Sequence, residues 1–363
     1  MRPRVRKLAI IGGRGEHVGT HTMLPESSIP IIDVSSLFLS EAADRVRTDA
    51  AILHAAAAPG FFLAGNLPST VPIDRESRHE LLRLFDLPTH EIRPLWRKKF
   101  DDSHPNVYRG WFPLQTGHLT SKEGIDLGPD VAYGASLARG DDPLQEPTPL
   151  PREQALPGWR EAAARYYRGM IETSLALMHS IARSLHLTEN FFDDAFDHGL
   201  STLRLIRYPP RIDLQQAAEA DPSVWLVHEG KRRYVTGTPH VDSGFLTLLA
   251  QHGVGGLQAR GRHGEWMDVP SLEGTLAVNF GKVLERWSAG RIKATEHRVI
   301  GSGETRMSIP FFYEARADAE IAPLPIDPAD AFEPFLYGDY LWAATTRFVE
   351  FAGLEGLRRP RRA

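Results

Sequence analysis

The chain has 363 residues, with 42 Lys and Arg against 46 Asp and Glu, which gives a formal net charge of −4 at pH 7. This length allows two domains or one large domain with a full hydrophobic core, so folding needs no disulfide and no structural metal. The chain contains no cysteine, which excludes a disulfide framework, cysteine-ligated zinc, an iron–sulfur cluster and a cysteine nucleophile. The 15 histidines remain as the candidate metal ligands and bases.

The sequence carries no pattern typical of membrane or nucleic-acid binding. No apolar run approaches the roughly 18 residues that a membrane-spanning helix needs, and the apolar stretch Leu8–Ile11 is too short for a secretory signal. The local clusters of basic residues lie at the two ends of the chain, and we interpret them as solvated termini. We therefore predict a cytoplasmic protein that binds neither membrane nor nucleic acid and has no obligate protein partner.

The first part of the chain combines helical patterns with loops. Residues 1–28 lack periodicity and predict a flexible tail, 29–135 predict a mixed helical and stranded region, and 136–198 predict loop followed by long helices. Apolar residues at three- and four-residue spacing predict helices, and short apolar runs ended by Gly, Pro or Ser predict strands. The predicted helices are 41–58, 75–87, 90–100, 158–185 and 190–196, the predicted strands are 29–34 and 61–64, and 101–158 is predicted to be mostly loop.

From residue 199 the hydrophobic period changes from 3.6 to 2. Short strands alternate with Gly- and Pro-rich turns through 199–315, which predicts a barrel or jelly roll. Residues 316–363 predict a C-terminal helix at 337–351 and a basic tail. Helices followed by strands indicate an α+β fold wrapped around one β core. The predicted strands are 202–208, 239–242, 246–251, 257–259, 266–269, 275–280, 297–300 and 306–313.

Three side chains of metal-ligand type occur in the jelly-roll region. His240 and Asp242 lie two residues apart in a predicted strand, and side chains at i and i+2 share one face of a strand. His297 follows 55 residues after Asp242 on a later predicted strand. Two imidazoles and one carboxylate on one face of an octahedron form the triad of non-haem Fe(II) oxygenases. The alternative is a buried histidine that is simply hydrogen-bonded to an aspartate.

An arginine on the last predicted strand indicates an anion-binding site. Arg306 and Ser308 alternate within an apolar run, so both face the same side of the strand. A buried guanidinium is costly unless it meets an anion, and its planar shape suits a carboxylate. Tyr208, on another predicted strand, can add a phenolic hydroxyl to the same anion. The alternative is an ion pair between Arg306 and an internal Asp or Glu.

Together these motifs resemble the isopenicillin N synthase-like family of Fe(II)/2-oxoglutarate-dependent oxygenases. The resemblance covers roughly residues 28–352. The motifs that carry it are Ile29-Pro-Ile-Ile-Asp33, Pro59-Gly-Phe-Phe62, Tyr108-Arg-Gly-Trp-Phe-Pro113, Lys122-Glu-Gly-Ile-Asp126, Arg207-Tyr-Pro-Pro210, His240-Val-Asp242, Gly255-Gly-Leu-Gln258, Val278-Asn-Phe-Gly281, Trp287-Ser-Ala-Gly290, His297-Arg-Val299 and Arg306-Met-Ser308.

The resemblance implies a double-stranded β-helix core with an N-terminal mixed region and flanking helices. It also implies a reaction in which O2 and 2-oxoglutarate are consumed, a small-molecule substrate is hydroxylated or desaturated, and succinate and CO2 are released. The implied site residues are His240, Asp242 and His297 for Fe(II), and Arg306, Ser308 and Tyr208 for the distal carboxylate of 2-oxoglutarate. Those that the resemblance places beside the substrate are Tyr108, Arg109, Trp111 and Phe112, for which the alternative is core aromatics and a surface arginine.

Two departures from the family pattern keep a second function open. Ile206-Arg-Tyr-Pro209 stands where many plant members have Asn-Tyr-Tyr-Pro, and Gly281–Lys282 stands where Gly-Asp is usual. The Ile-Arg-Tyr-Pro form is also similar to isopenicillin N synthase, which uses no 2-oxoglutarate, so an oxoacid-independent iron oxidase is the second hypothesis. A third is an inactive jelly roll that binds a ligand, although the intact set of metal-ligand residues argues against it.

Overall fold

The computed structural model describes residues 28–39, 42–134, 141–327 and 331–361, so the predicted tail lies outside the described residues except for Ser28. Within these ranges the helices are α1 Ala42–Ala57, α2 Arg75–Leu82, α3 Thr89–Ile92, α4 Asp130–Tyr133, α5 Trp159–Ser184, α6 Asp193–Phe196, α7 Leu214–Ala220, α8 Lys282–Trp287 and α9 Tyr337–Thr345. The strands are β1 Ile31–Asp33, β2 Phe61–Gly65, β3 Gly110–Phe112, β4 Glu123–Leu127, β5 Thr202–Tyr208, β6 Trp225–His228, β7 Lys231–His240, β8 Leu246–His252, β9 Leu257–Arg260, β10 Trp266–Asp268, β11 Leu276–Phe280, β12 His297–Gly301, β13 Arg306–Tyr313, β14 Glu320–Ile321 and β15 Phe335–Leu336.

Most of the strands form two sheets that pack face to face. The larger sheet has the order β1-β2-β11-β8-β13-β5-β4-β3 and the smaller one β10-β9-β12-β7-β6. Apart from the parallel pair β1 and β2, the neighbours in these sheets are antiparallel. Apolar side chains of both sheets, among them Ile206, Leu257, Ala277 and Val299, form one core between them. The predicted α+β fold with a jelly-roll core is confirmed.

Helices cover the outer face of the larger sheet. The long helix α5 buries Met170, Leu177 and Ile181 at helical spacing, in the same core cluster as Leu203 and Leu248 of the sheet. Because this spacing is visible in the sequence, the helix predicted at 158–185 is confirmed as α5. None of the helices in the described ranges is long and apolar enough to cross a bilayer.

Several predicted boundaries are wrong. The helix predicted at 90–100 is confined to α3 and a 3-10 turn at Arg93–Leu95, after which Trp96 makes a β-bridge to Trp111. The helix predicted at 337–351 ends at Thr345, the last residue of α9. The predicted loop at 101–158 contains β3 and β4, whose three and five residues are too few to show a clear alternation.

Candidate functional site

The smaller sheet and the loop that leaves it bring His240, Asp242 and His297 together, and we call these residues the triad. His240 ends β7 and pairs with His297, the first residue of β12. Asp242 lies in the connection to β8, so the strand predicted at 239–242 is wrong beyond His240, the last residue of β7. Its backbone carbonyl accepts from the N–H of Lys282 instead of from a neighbouring strand. The ligand atoms of the triad all lie within 4.8 Å of one another.

Each imidazole of the triad is oriented by a backbone carbonyl two residues earlier. Nδ1 of His240 donates to the carbonyl of Thr238 at 2.7 Å. Nδ1 of His297 donates to the carbonyl of Thr295 at 3.1 Å. With the proton assigned to Nδ1 by these contacts, each neutral ring presents the lone pair of Nε2. The Nε2 atoms lie 3.8 and 3.7 Å from Oδ1 of Asp242, too far for the hydrogen bond of the alternative interpretation.

The carboxylate of Asp242 is held through its other oxygen. Oδ2 accepts a hydrogen bond from Oγ1 of Thr247 at 2.6 Å and another from Nδ2 of Asn279 at 2.7 Å. Burial raises the pKa of Asp242, but the adjacent imidazoles and these two donors outweigh burial and leave the pKa below its ordinary value. Asp242 is therefore ionised, and its Oδ1 is left to face the two Nε2 atoms.

The loop after Asp242 reaches this position because Gly281, between β11 and α8, lies at its closest approach to that segment. A Cβ on Gly281 would lie only 2.3 Å from the carbonyl oxygen of Gly244. The N–H of Gly281 donates to the carbonyl of Phe245 at 2.9 Å, beside the Lys282 bond to Asp242, also 2.9 Å. The Gly281–Lys282 pair, where the family pattern has Gly-Asp, thus ties the loop to the start of α8.

The protonation states of the triad suit a divalent cation. Burial, and then the charge of His297, lower the pKa of His240 to about 4, so its ring is neutral at physiological pH. Two imidazole nitrogens and one carboxylate oxygen, with no sulfur ligand, form the donor set of a facial non-haem Fe(II) site. Three acceptors that converge without a proton between them fit a metal ion better than they fit one another.

A cavity of about 450 Å³ opens beside the triad. His240 and Asp242 line it, together with side chains from both sheets, from α9 and from the segment that follows α9. This volume is typical of small-molecule sites. Its apolar lining includes Tyr108, Phe312, Leu341, Phe348 and Phe351, and its polar lining includes Lys122, Thr202, Arg204, Glu314 and Glu350.

Arg306 is a buried cation that pairs with no carboxylate of the described residues. Its Nη1 donates to Oγ of Ser308 at 3.1 Å, and its Nη2 donates to Oε1 of Gln251 at 3.3 Å. The guanidinium carbon lies 5.0 Å from the ring centre of Tyr208, which lines the cavity. Burial lowers the pKa of Arg306, yet arginine stays charged. Its Nε has no hydrogen-bond partner, and no carboxylate of the described residues pairs with it, so the internal ion pair of the alternative interpretation is absent.

Of the four residues expected beside the substrate, Tyr108 lines the cavity, whereas Arg109, Trp111 and Phe112 are absent from its lining. Arg109 is fully buried and donates to Oγ1 of Thr202 at 2.5 Å. Trp111 belongs to the hydrophobic core, and Phe112 packs under two guanidinium groups. All four lie in or next to the short strand β3, which turns most of these side chains inward to the core.

The cavity also contains charged residues that the sequence analysis did not single out. Arg204 lies four residues before Tyr208 on β5, so the strand alternation that places Tyr208 inward indicates the same face for Arg204. Lys122 immediately precedes β4, and Glu350 lies beyond the end of α9. The positions of these last two depend on how distant segments pack, and no local pattern reveals them.

Known proteins share this arrangement of the chain. The model of the 2OG-Fe(II) oxygenase superfamily matches residues 201–315, which contain the triad and Arg306. The chain is 29% identical over 326 residues to the isopenicillin N synthase of Streptomyces clavuligerus, and the alignment covers 88% of this chain and 95% of that protein. Residues 201–315 match the 2OG-Fe(II) oxygenase superfamily, and most of the chain is similar to isopenicillin N synthase.

The chain is also similar to proteins whose descriptions name 2-oxoglutarate. The chain is 29% identical to a 2-oxoglutarate-Fe(II) type oxidoreductase of Metarhizium majus, over 86% of this chain and 85% of that protein. It is 26% identical to a Neurospora crassa protein whose crystal structure in complex with alpha-KG and 5-formyluracil matches 91% of this chain and 99% of that chain, with a TM-score of 0.70. The protein is thus an oxidoreductase, a 2-oxoglutarate-dependent non-haem iron dioxygenase that uses Fe(II), 2-oxoglutarate and O2.

Proposed function

We propose that the triad binds Fe(II) and that Arg306, with Ser308 and Tyr208, binds the distal carboxylate of 2-oxoglutarate. A small molecule in the adjacent cavity is then hydroxylated or desaturated, with release of succinate and CO2. The observation that carries this proposal is that three ligand atoms converge at one cavity, while Tyr208 of that cavity stacks on the buried guanidinium of Arg306, which has no carboxylate partner among the described residues. Fe(II) would bring positive charge to the triad, and 2-oxoglutarate would bring negative charge to Arg306.

The contribution of the protein to this reaction is geometric and electrostatic. Bound Fe(II) and 2-oxoglutarate supply the oxidising chemistry with O2. The carbonyls of Thr238 and Thr295 fix the two imidazole rings, so both Nε2 lone pairs stay directed toward Oδ1 of Asp242. Arg306 fixes the far end of the cosubstrate, and the cavity walls hold the substrate beside the triad and limit its contact with water.

We also propose a cytoplasmic location, a small-molecule substrate and no obligate protein partner. The volume of the cavity, about 450 Å³, supports the substrate class. The Neurospora crassa relative supports it too, because the structure of that protein holds the small molecule 5-formyluracil. The location rests on the composition of the chain.

Anaerobic titration with Fe(II), followed by 2-oxoglutarate, tests the two halves of the site separately. We expect one Fe(II) per chain, and visible charge-transfer absorption when 2-oxoglutarate chelates that Fe(II). Asp242→Ala and His297→Ala each remove a ligand and are expected to weaken Fe(II) binding by about 100-fold or more. His79→Ala is the matched control, because His79 is exposed on α2 and belongs to no cluster of metal-ligand type among the described residues.

The results that contradict the proposal differ for its two parts. Unchanged Fe(II) affinity in the triad variants, or an equal loss in His79→Ala, would contradict the metal site and leave a ligand-binding jelly roll. Fe(II) binding without absorption on addition of 2-oxoglutarate, and O2 uptake without succinate, would favour an oxidase similar to isopenicillin N synthase. Succinate released in proportion to the O2 consumed supports the proposal.

A further inference from the structure

Four buried or partly buried cations surround one side of the cavity. Lys122 and Arg204 line it, and Arg97 and Arg109 are fully buried close by. Asp126 lies between three of these cations. Its carboxylate forms ion pairs with Arg97 and Arg204, and the charge of Arg109 also lowers its pKa. We call Arg97, Arg109, Lys122 and Arg204 the cationic wall.

Two carboxylates offset part of this charge. Burial raises the pKa of Asp126, but Arg204 and Arg97 outweigh burial and bring the pKa to about 2. Glu350 pairs with Lys122 at 2.9 Å, and the charges of Lys122 and Arg204 outweigh burial and bring its pKa to about 2 as well. Both acids are thus ionised, and the four cations exceed them by two charges.

A third acid, Glu314, does not remove the excess positive charge of the cationic wall. Glu314 also lines the cavity and accepts a hydrogen bond from the hydroxyl of Tyr337. Even when Glu314 is ionised, the three carboxylates of Asp126, Glu350 and Glu314 offset only three of the four charges of the cationic wall. An unmatched charge inside a protein is costly, so an anionic ligand at this wall would be stabilised.

A hydrogen-bond donor of the cationic wall is also available to a ligand. Arg97 and Arg109 do not line the cavity, so this donor has to come from Arg204 or Lys122. The two hydrogen bonds of Arg204 run from Nε and Nη2 to Asp126, at 2.5 and 2.8 Å, which leaves Nη1 for the cavity that Arg204 lines. Because a guanidinium can bind two carboxylates, Arg204 can hold Asp126 and a ligand at the same time.

We propose that the cationic wall binds a carboxylate of the substrate through Arg204 and Lys122, so that the substrate is a small organic acid with an apolar body. The aromatic side chains of Tyr108, Phe312 and Phe348 supply the apolar part of the same cavity. An acid held by its carboxylate at this wall extends its body along these rings toward the triad. This inference rests on the proposed function, because it names the substrate class of that site.

Two acids with different bodies, each paired with its neutral amide, are the probes. Octanoate with octanamide and 3-phenylpropanoate with 3-phenylpropanamide differ in charge but hardly in shape within each pair. Calorimetry on the anaerobic protein loaded with Fe(II) and 2-oxoglutarate measures their affinities. We expect at least one acid to bind about 10- to 100-fold more tightly than its amide, the range that charged hydrogen bonds provide. Equal affinity within both pairs, or no binding by either acid, would contradict the inference.

Two variants are expected to shift the acid-to-amide preference in opposite directions, which separates recognition of charge from loss of the fold. Lys122→Met removes a cation from the wall and is expected to lower the acid-to-amide preference by about 10-fold. Glu350→Gln removes an anion, so the preference is expected to rise. Lys231→Met, at an exposed position at the start of β7, is the control and is expected to change nothing. A variant that unfolds loses acid and amide binding together, whereas shifts of the same sign in both variants would overturn the inference.

The same samples distinguish failure of this inference from failure of the proposed function. If 2-oxoglutarate produces the charge-transfer absorption but neither acid exceeds its amide, the substrate class is wrong and the reaction stands. If the absorption never forms while the acid preference persists, the cationic wall is an anion site and the proposed reaction is wrong.

Discussion

The triad and Arg306 both lie inside the jelly roll, yet the protein completes the hydrogen bonds of one and leaves those of the other open. In the triad, both Nδ1 atoms are bound by carbonyls and Oδ2 of Asp242 has two donors. At Arg306, Nε has no partner, and no described carboxylate offsets the charge. The comparison indicates one site prepared in advance for a cation and another that an anionic cosubstrate has to complete.

Replacing Arg306 tests this contrast with the largest expected effect. In Arg306→Gln, the charged hydrogen bonds to the distal carboxylate are lost, so the 2-oxoglutarate concentration for half-maximal absorption is expected to rise by about 100-fold. Fe(II) affinity is expected to stay unchanged. Because no described carboxylate is left unpaired by the change, thermal stability without 2-oxoglutarate is expected to stay level or to rise.

Arg298→Gln is the matched control for this prediction. Arg298 lies on β12, donates to Oε1 of Gln258 at 2.9 Å and stacks on Trp266, so its contacts are already made by the protein. We expect its affinity for 2-oxoglutarate to equal that of the wild type. A similar loss in both variants, or full affinity in Arg306→Gln, would show that Arg306 is not the anion site.

The comparison is tested at the triad by removing a side chain that orients Asp242, instead of a metal ligand itself. Asn279→Ala deletes one of the two donors to Oδ2 of Asp242 and leaves the one from Thr247. Outer contacts of this kind are worth about 10- to 100-fold in metal affinity, and with one donor remaining we expect about 10-fold for Fe(II). Asn106→Ala, which loses a bond to the carbonyl of Pro147 and none to the triad, is the control. Unchanged Fe(II) affinity in Asn279→Ala would mean that the triad is not prepared by this contact.

The parts of the site that local sequence predicts are those set by strand periodicity. Alternation along β5 and β13 indicates the inward faces that hold Tyr208, Arg306 and Ser308, and it indicates Arg204 as well. The strand assignment of Asp242 is wrong because its backbone bonds to Lys282, a partner 40 residues away that no local pattern specifies.

The cavity wall depends still more on distant packing. Glu350 reaches the cavity because the segment after α9 folds back over the sheets and meets Lys122 from the start of β4. Helical periodicity near the end of the chain predicts that α9 exists, but it does not predict which cavity the following residues enter. The position of Tyr108 likewise depends on a distant residue. Its backbone N–H donates to Oε1 of Glu146 at 2.7 Å, and Glu146 lies in a loop whose sequence shows no periodicity.

The smallest expected effect concerns a second buried acid close to the triad. A Cβ on Gly244 would lie 2.3 Å from Oε2 of Glu314, so this carboxyl packs directly against the loop that carries Asp242. The carboxylate of Asp242 has two side-chain donors and a lowered pKa, whereas Glu314 is buried with one side-chain donor, Tyr337, and burial raises its pKa to about 8. Between about pH 4.5 and pH 8, Glu314 is ionised in the unfolded chain but protonated in the folded protein. The free energy of unfolding therefore falls as the pH rises through this range.

Glu314→Gln removes this dependence, because glutamine keeps an oxygen that accepts from Tyr337 and has no proton to lose. We expect its thermal midpoint to lie close to that of the wild type at about pH 5 and to exceed it by a few degrees at about pH 8.5. Glu304→Gln, at an exposed turn, is the control and is expected to shift the midpoint equally at both pH values. Parallel midpoint curves for wild type and Glu314→Gln would mean that Glu314 is ionised in the folded protein, and the contrast between the two buried acids would then be wrong.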